Sequence, residues 1–222
     1  MTNEDQAPIS SFQSAIRAAI GLGLFAILTA GLVALVQLNT KERIVEQATK
    51  ARLAALYELV PESYRDNDLL ADSYMLSIRE GAEPQSVFLA RSGGSVSAII
   101  LPWTAPDGYT APIQLLVAID VDGELIGVRV VSHKETPGLG DSIELTKSDW
   151  ILGFDGRSIA NTAAGAWAVK KDGGEFDQLT GATITPRAIV SAVYEALRFF
   201  EANKIALLNQ APQAQLHLSK AP

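Results

Sequence analysis

The sequence predicts an α+β protein: a single N-terminal transmembrane helix, then a domain with an antiparallel sheet and flanking helices. Three observations carry that prediction. Residues 18–38 contain no charged side chain. Two apolar, β-branched runs flank an Asp-Gly step near residue 122, and a stripe of apolar residues at helical spacing follows Pro186.

The first element is 18–38, dominated by leucine, alanine, isoleucine, valine and glycine. Its roughly 21 residues make about 30 Å of helix, the thickness of a bilayer's hydrocarbon core. A cleaved signal peptide has a shorter apolar region, about 7–15 residues, followed by a small-residue cleavage site. No such site follows here, so 18–38 reads as an uncleaved anchor after a 1–17 tail. Arg17 precedes the span, whereas Lys41, Arg43, Lys50 and Arg52 follow it. Taken alone, that bias places the following domain in the cytoplasm, although the rule weakens when a long domain follows. Glu42 and Glu46 can also pair with the bases on the same helix.

Residues 39–61 read as a connecting helix, with Ile44, Ala48, Ala51, Ala55, Leu56 and Leu59 near one face and Pro61 ending it. The domain proper is expected over 62–205. It opens with an acidic loop containing Asp66-Asn67-Asp68, whose carboxylates can bind a hard cation but read more simply as solvated. Strands are expected at 96–101, 113–119 and 125–131. The last two form a hairpin about Asp120-Val121-Asp122-Gly123-Glu124. The segment 102–112 reads as turn, and 166–169 as a further strand before Asp172-Gly173-Gly174. A helix is expected over 186–203, with the stripe Ile189, Val190, Val193, Tyr194, Leu197 and Phe200. Thr185 is its expected N-cap and Pro186 suits the first turn. The polar, proline-bearing 206–222 segment is expected to be a loose tail.

Composition narrows the chemistry. A net charge of −7 argues against a nucleic-acid partner. The chain has no cysteine and only His133 and His217, which excludes thiolate sites and histidine-rich metal sites. There is no Gly-x-Gly-x-x-Gly nucleotide signature and no nucleophile–histidine arrangement, so an independent dehydrogenase or hydrolase is not indicated.

Two short constellations remain. The first is Asp177-Gln178-Leu179-Thr180-Gly181-Ala182-Thr183, just before the helix at Pro186. A helix N-terminus suits a phosphate, because its free N–H groups and positive dipole end face an anion. Pro186 has no N–H, so the donors are expected from Arg187, Ala188 and their neighbours. Gly181 and Ala182 leave room around the Thr183 hydroxyl, Thr180 can orient a phosphate, and Asp177 can position the segment. The second constellation is Ser132-His133-Lys134-Glu135-Thr136-Pro137-Gly138-Leu139-Gly140. Its glycines allow backbone amides to approach a planar ring. Leu139 can pack on such a ring, and Thr136 or Glu135 can bond its polar edge. The plain alternative is an ordinary turn with Glu135 solvated or paired to Lys134 or Lys147. Trp150 and Trp167 can border a bound ring but read more simply as core, His133 can donate a proton but reads more simply as structural, and Lys170 and Lys171 read as solvating a hairpin end.

The run 177–183 matches the pattern Asp-x-x-Ser/Thr-Gly-Ala-Thr, at which bacterial flavin transferases esterify FMN onto the last threonine. With Glu135-Thr136-Pro137-Gly138-Leu139-Gly140 and the single N-terminal span, the chain resembles the G subunits of Rnf (Rsx) electron-transport complexes. The resemblance covers essentially the whole chain. It implies FMN held covalently at Thr183, transferred from FAD by a magnesium-dependent flavin transferase with release of AMP. It further implies a domain on the periplasmic side of a bacterial inner membrane, beside other integral-membrane and redox subunits. There it relays electrons in ion-coupled transfer between ferredoxin and NAD, with no catalysis of its own. The C subunits of sodium-translocating NADH:quinone reductases share both motifs, but this domain lacks the extra length expected there. A stand-alone membrane-tethered flavoprotein and a structural subunit with a vestigial flavin site are the other readings.

Overall fold

The computed structural model describes residues 11–78 and 83–209. The expected tail 1–17 therefore lies outside them up to residue 10, and the expected tail 206–222 from residue 210 on, His217 included. The chain divides into two compact units, Met1–Lys50 and Ala51–Pro222. In the first unit everything described belongs to helix α1, Ser11–Leu59, which runs on into the second. The stretch Gln13–Lys41 is long and apolar enough to cross a membrane, and none of its most apolar window is buried. Further along, Glu46 and Lys50 pair at 2.7 Å on one face of the helix.

The second unit holds a five-stranded antiparallel meander, in the order β1 (Ser73–Leu76), β2 (Gln85–Ser92), β3 (Ser95–Ala105), β4 (Ile113–Asp120) and β5 (Leu125–Ser132). Both faces are covered. Val87, Leu89, Ile99, Leu101, Leu115, Val117 and Ile119 point to the face packed by helix α2, Ile184–Leu208. Phe88, Ala90, Ala98, Ile100, Leu116 and Ala118 point to the other, where Leu56 and Leu59 from the end of α1, with Val60 and Leu69, pack on the sheet. A strand buried on both sides reads as an unbroken apolar run rather than an alternation. The unit thus takes in the end of the helix read as a connector, because Leu56, Leu59 and Val60 are core.

Several expectations hold. Strands cover 96–101, 113–119 and 125–131, and the 120–124 turn is tied by Asp120, whose carboxylate accepts the N–H groups of Asp122 and Glu124 at 2.8 and 2.9 Å. Ile189, Val190, Val193, Leu197 and Phe200 are buried on α2. The acidic loop is a loop, but its carboxylates are engaged: Asp66 accepts from Gly93 N–H and Asp68 from the Tyr57 hydroxyl, both at 2.7 Å.

Other expectations fail for physical reasons. The strand expected at 166–169 is instead a pair of 3-10 turns, Ala164–Ala166 and Lys170–Asp172, with one isolated bridge from Val169 to Phe176. Strand β3 continues through Pro102 to Ala105. The β2 ladder ends at the pair Phe88–Ile100, so from Leu101 onward β3 is paired only with β4. Proline is tolerated at such an edge, where its missing N–H has no partner to lose. Strands β1 and β2 were not anticipated. The Gly93-Gly94 step that joins β2 to β3, with φ of 59° and 81°, is the signal that announces the second of them.

Candidate functional site

The loop leaving β5 is organised by His133. Its Nδ1 accepts the Glu135 N–H at 3.1 Å, so the neutral ring carries its proton on Nε2, which lies 3.0 Å from Glu144. The loop then tightens, with the Thr136 carbonyl accepting the N–H groups of Leu139 and Gly140 at 3.2 and 3.0 Å. Thr136, Gly138 and Leu139 are exposed, while Gly140 is buried. Glu135 is neither solvated nor paired with lysine, as the plain alternative had it. It is 4% exposed, and its carboxylate accepts the Thr110 N–H at 3.1 Å and the Thr185 hydroxyl. Lys147 lies 3.8 Å from Asp141 instead.

The second constellation is braced at its start. Asp177 takes Lys170 on its carboxylate at 2.5 Å and the Trp150 indole N–H on its carbonyl at 2.8 Å. Lys170 therefore does more than solvate a turn. The segment next turns back, with Ala182 N–H bonded to the Leu179 carbonyl at 3.1 Å, and Thr180 stands exposed at the bend. Gly181 occupies the left-handed region at φ 80°, and a Cβ there would lie 2.7 Å from the Leu139 side chain. That contact measures how closely the two constellations approach, although their residues lie some forty positions apart in sequence.

Thr183, not Thr185, is the N-cap of α2. It is exposed, sits in the right-handed region and makes no side-chain cap bond, so its hydroxyl is not consumed by the helix. Thr185 is 0% exposed, and its hydroxyl is committed to Glu135. Since the helix opens at Ile184, the N–H groups of Arg187 and Ala188 fall to the carbonyls of Thr183 and Ile184. The amides outside the helical ladder are those of Thr183, Ile184 and Thr185, about one turn earlier than expected. Arg187 contributes through its side chain. Its guanidinium grips Asp172 at 2.5 and 2.9 Å and also donates to the Thr183 carbonyl at 3.1 Å. That grip holds the Asp172 carboxyl below the usual carboxylate range and pushes Arg187 upward.

Between the two loops lies a cleft of 230 Å³ lined by Glu135, Thr136, Leu139 and Gly140 on one side and 181–185 on the other. Tyr109, 67% exposed, closes its rim from the β3–β4 connection. Leu139 and Ile184 also present exposed apolar surface there. Sequence reasoning missed Tyr109, Ile184 and the pairing role of Thr185, since each depends on chain segments that meet only in the fold. Trp167 stacks on Tyr194 in the core, and Trp150 packs edge-on against Phe154, so neither lines the cleft. Among the described residues no cluster of acidic or histidine side chains is arranged to hold a metal ion.

The arrangement suits a flavin phosphate ester. An exposed hydroxyl stands at a helix N-terminus with the amides of the first turn and a guanidinium nearby, beside a cleft with apolar walls and a few polar groups. A family model described as an FMN-binding domain matches residues 108–198, which include every cleft residue. A second, described as the RnfG N-terminal region, matches residues 1–59. The G subunit of the ion-translocating oxidoreductase complex of Pseudomonas aeruginosa is 52% identical over 199 residues, covering 88% of this chain and 93% of that protein. The corresponding G subunits of Shewanella loihica and Pseudoalteromonas atlantica are 46% and 44% identical, over 92% and 89% of this chain and 98% and 94% of theirs.

Proposed function

The chain belongs to the family of G subunits of ion-translocating oxidoreductase complexes, and we propose that it serves there as a membrane-anchored electron carrier with FMN esterified to Thr183. It is an FMN-containing subunit of an Rnf complex. One observation carries the attachment: the Thr183 hydroxyl is exposed at the mouth of the cleft and unused as a cap, whereas Thr185, two residues on, is buried and bonded. In the attachment step the Thr183 oxygen forms a bond to the FMN phosphorus of FAD. The pyrophosphate bond breaks, AMP leaves, and the hydroxyl proton is released.

The chain's own residues hold and orient. The Ile184 and Thr185 amides and the Arg187 guanidinium would offset the phosphodiester charge, and Leu139, Ile184 and Tyr109 would give the ring an apolar seat. When bound, FMN supplies redox chemistry in one- or two-electron steps, and the protein sets its position and potential. We assign the subunit to ion-coupled electron transfer linking ferredoxin and NAD, in which such a flavin would join neighbouring redox centres. The ester keeps the flavin from being lost on the periplasmic side of the inner membrane, where we place the domain.

Intact mass tests the attachment. Protein co-expressed with a flavin transferase should gain the mass of FMN less water, and Thr183→Val should not. An unmodified wild-type chain, with the transferase active on a control substrate, would sink the reading. Sidedness has its own test, because the chain has no cysteine. A single cysteine in the β4–β5 turn should react with a membrane-impermeant thiol reagent in cells with a permeabilised outer membrane. Reaction only after the inner membrane is broken would place the domain in the cytoplasm.

A further inference from the structure

We propose that Glu135 and Thr185 form a buried positioning clasp that fixes the first turn of α2 against the loop after β5, and so sets how Thr183 presents its hydroxyl. The inference rests on the reading of Thr183 as the attachment point.

The clasp joins three distant parts of the chain. The Glu135 carboxylate receives the Thr110 N–H from the β3–β4 connection and the Thr185 hydroxyl from α2, 25 and 50 positions away in sequence. Both Glu135 and Thr185 are buried, at 4% and 0% exposure. A buried carboxylate is costly unless donors meet it, and here both donors are uncharged groups of the chain itself. Gly140 seals the contact. A Cβ at that position would lie 2.9 Å from the Glu135 Cβ and 3.3 Å from the Thr185 hydroxyl, so any larger residue must displace the clasp. Behind Glu135, His133 takes its backbone N–H and extends the brace to Glu144. Thr185 lies in the same turn as Thr183, so what fixes one fixes the other. The clasp also withdraws the Thr185 hydroxyl from chemistry, which leaves the attachment to its neighbour. The exposed ion pairs around the motif are screened by solvent and cannot fix this turn as firmly.

The test uses the full-length protein in detergent with FAD and an active flavin transferase. Two quantities are read: the rate of Thr183 modification by intact mass, and the midpoint potential of the loaded protein. Thr185→Val keeps the shape and deletes the donor, and Thr185→Ser keeps the donor. Thr185→Val should slow attachment about tenfold, the equivalent of about 1.4 kcal/mol and of one buried hydrogen bond, and move the potential. Thr185→Ser should stay within about twofold of wild type. If Thr185→Val does not fold, Glu135→Gln replaces it, with one acceptor oxygen for two donors and an intermediate slowing expected. Folded Thr185→Val or Glu135→Gln protein that loads at the wild-type rate and potential overturns the clasp. If wild type and Thr185→Ser both stay unmodified while a control substrate is loaded, the attachment reading falls, and the clasp's role with it.

Discussion

The two loops that meet at the cleft are held in opposite ways. Residues 135–140 are fastened from inside, through a buried carboxylate, a buried glycine and the hydroxyl of Thr185. Residues 177–183 are fastened from outside, by Lys170 on Asp177, Trp150 on its carbonyl, and Arg187 between Asp172 and the Thr183 carbonyl. Buried polar contacts are unforgiving, since a lost partner leaves a desolvated group unpaired. Exposed ion pairs contribute little each, but they leave the segment open to a large partner. The proposed attachment of a cofactor by a modifying enzyme calls for that second kind of support. The wall behind the segment needs the first.

Two glycines test this contrast, one in each loop. Gly140→Ala forces a methyl group between Glu135 and Thr185, and overpacking together with a disturbed buried hydrogen bond should cost about 3 kcal/mol. Gly181→Ala meets only the end of the Leu139 side chain, which can swing toward solvent. Its cost is mainly the left-handed backbone, about 1–2 kcal/mol. Thermal denaturation of the full-length protein in detergent should therefore rank Gly140→Ala below Gly181→Ala, and both below wild type. The reverse order would show that the exposed loop, rather than the buried one, limits stability.

The same contrast explains what could be read in advance. The anchor, the hairpin tied by Asp120, the α2 stripe and both constellations are local patterns, and local patterns survive in a sequence. Strand β2 was hidden because Val87-Phe88-Leu89-Ala90 is buried on both faces, which erases the alternation that marks a strand. Pro102 looked like the end of β3 only because nothing local says that the β2 ladder has already stopped. Segment 166–169 has strand-like composition, yet its partners are aromatic rings and 3-10 turns rather than another strand. Thr185 had the right residue type for a cap, and a carboxylate 50 positions earlier claimed its hydroxyl. Glu135 had lysines near in sequence and none on its carboxylate in space. At the site, residue types were legible and the decisive pairings were not, because those of Glu135 with Thr110 and Thr185 close long loops of chain.

The mildest perturbation belongs to the outer brace. The Asp172 carboxyl is held below its ordinary range chiefly by the hydrogen bonds from Arg187, then by the positive charges of Arg187 and Lys171. A carboxyl depressed in the folded state contributes stability that is complete above the unfolded value, about 3.9. That contribution is lost as pH falls through the lower, folded value. Asp172→Asn should therefore lower the melting temperature slightly at neutral pH, by less than either glycine change. The difference from wild type should shrink on acidification and vanish once the wild-type carboxyl is itself protonated. Carboxyl NMR shifts of Asp172 followed through the same range should give the midpoint directly. A deficit in Asp172→Asn that persists unchanged into acid would mean that the side chain's shape and packing, not its charge on Arg187, steadies the start of α2.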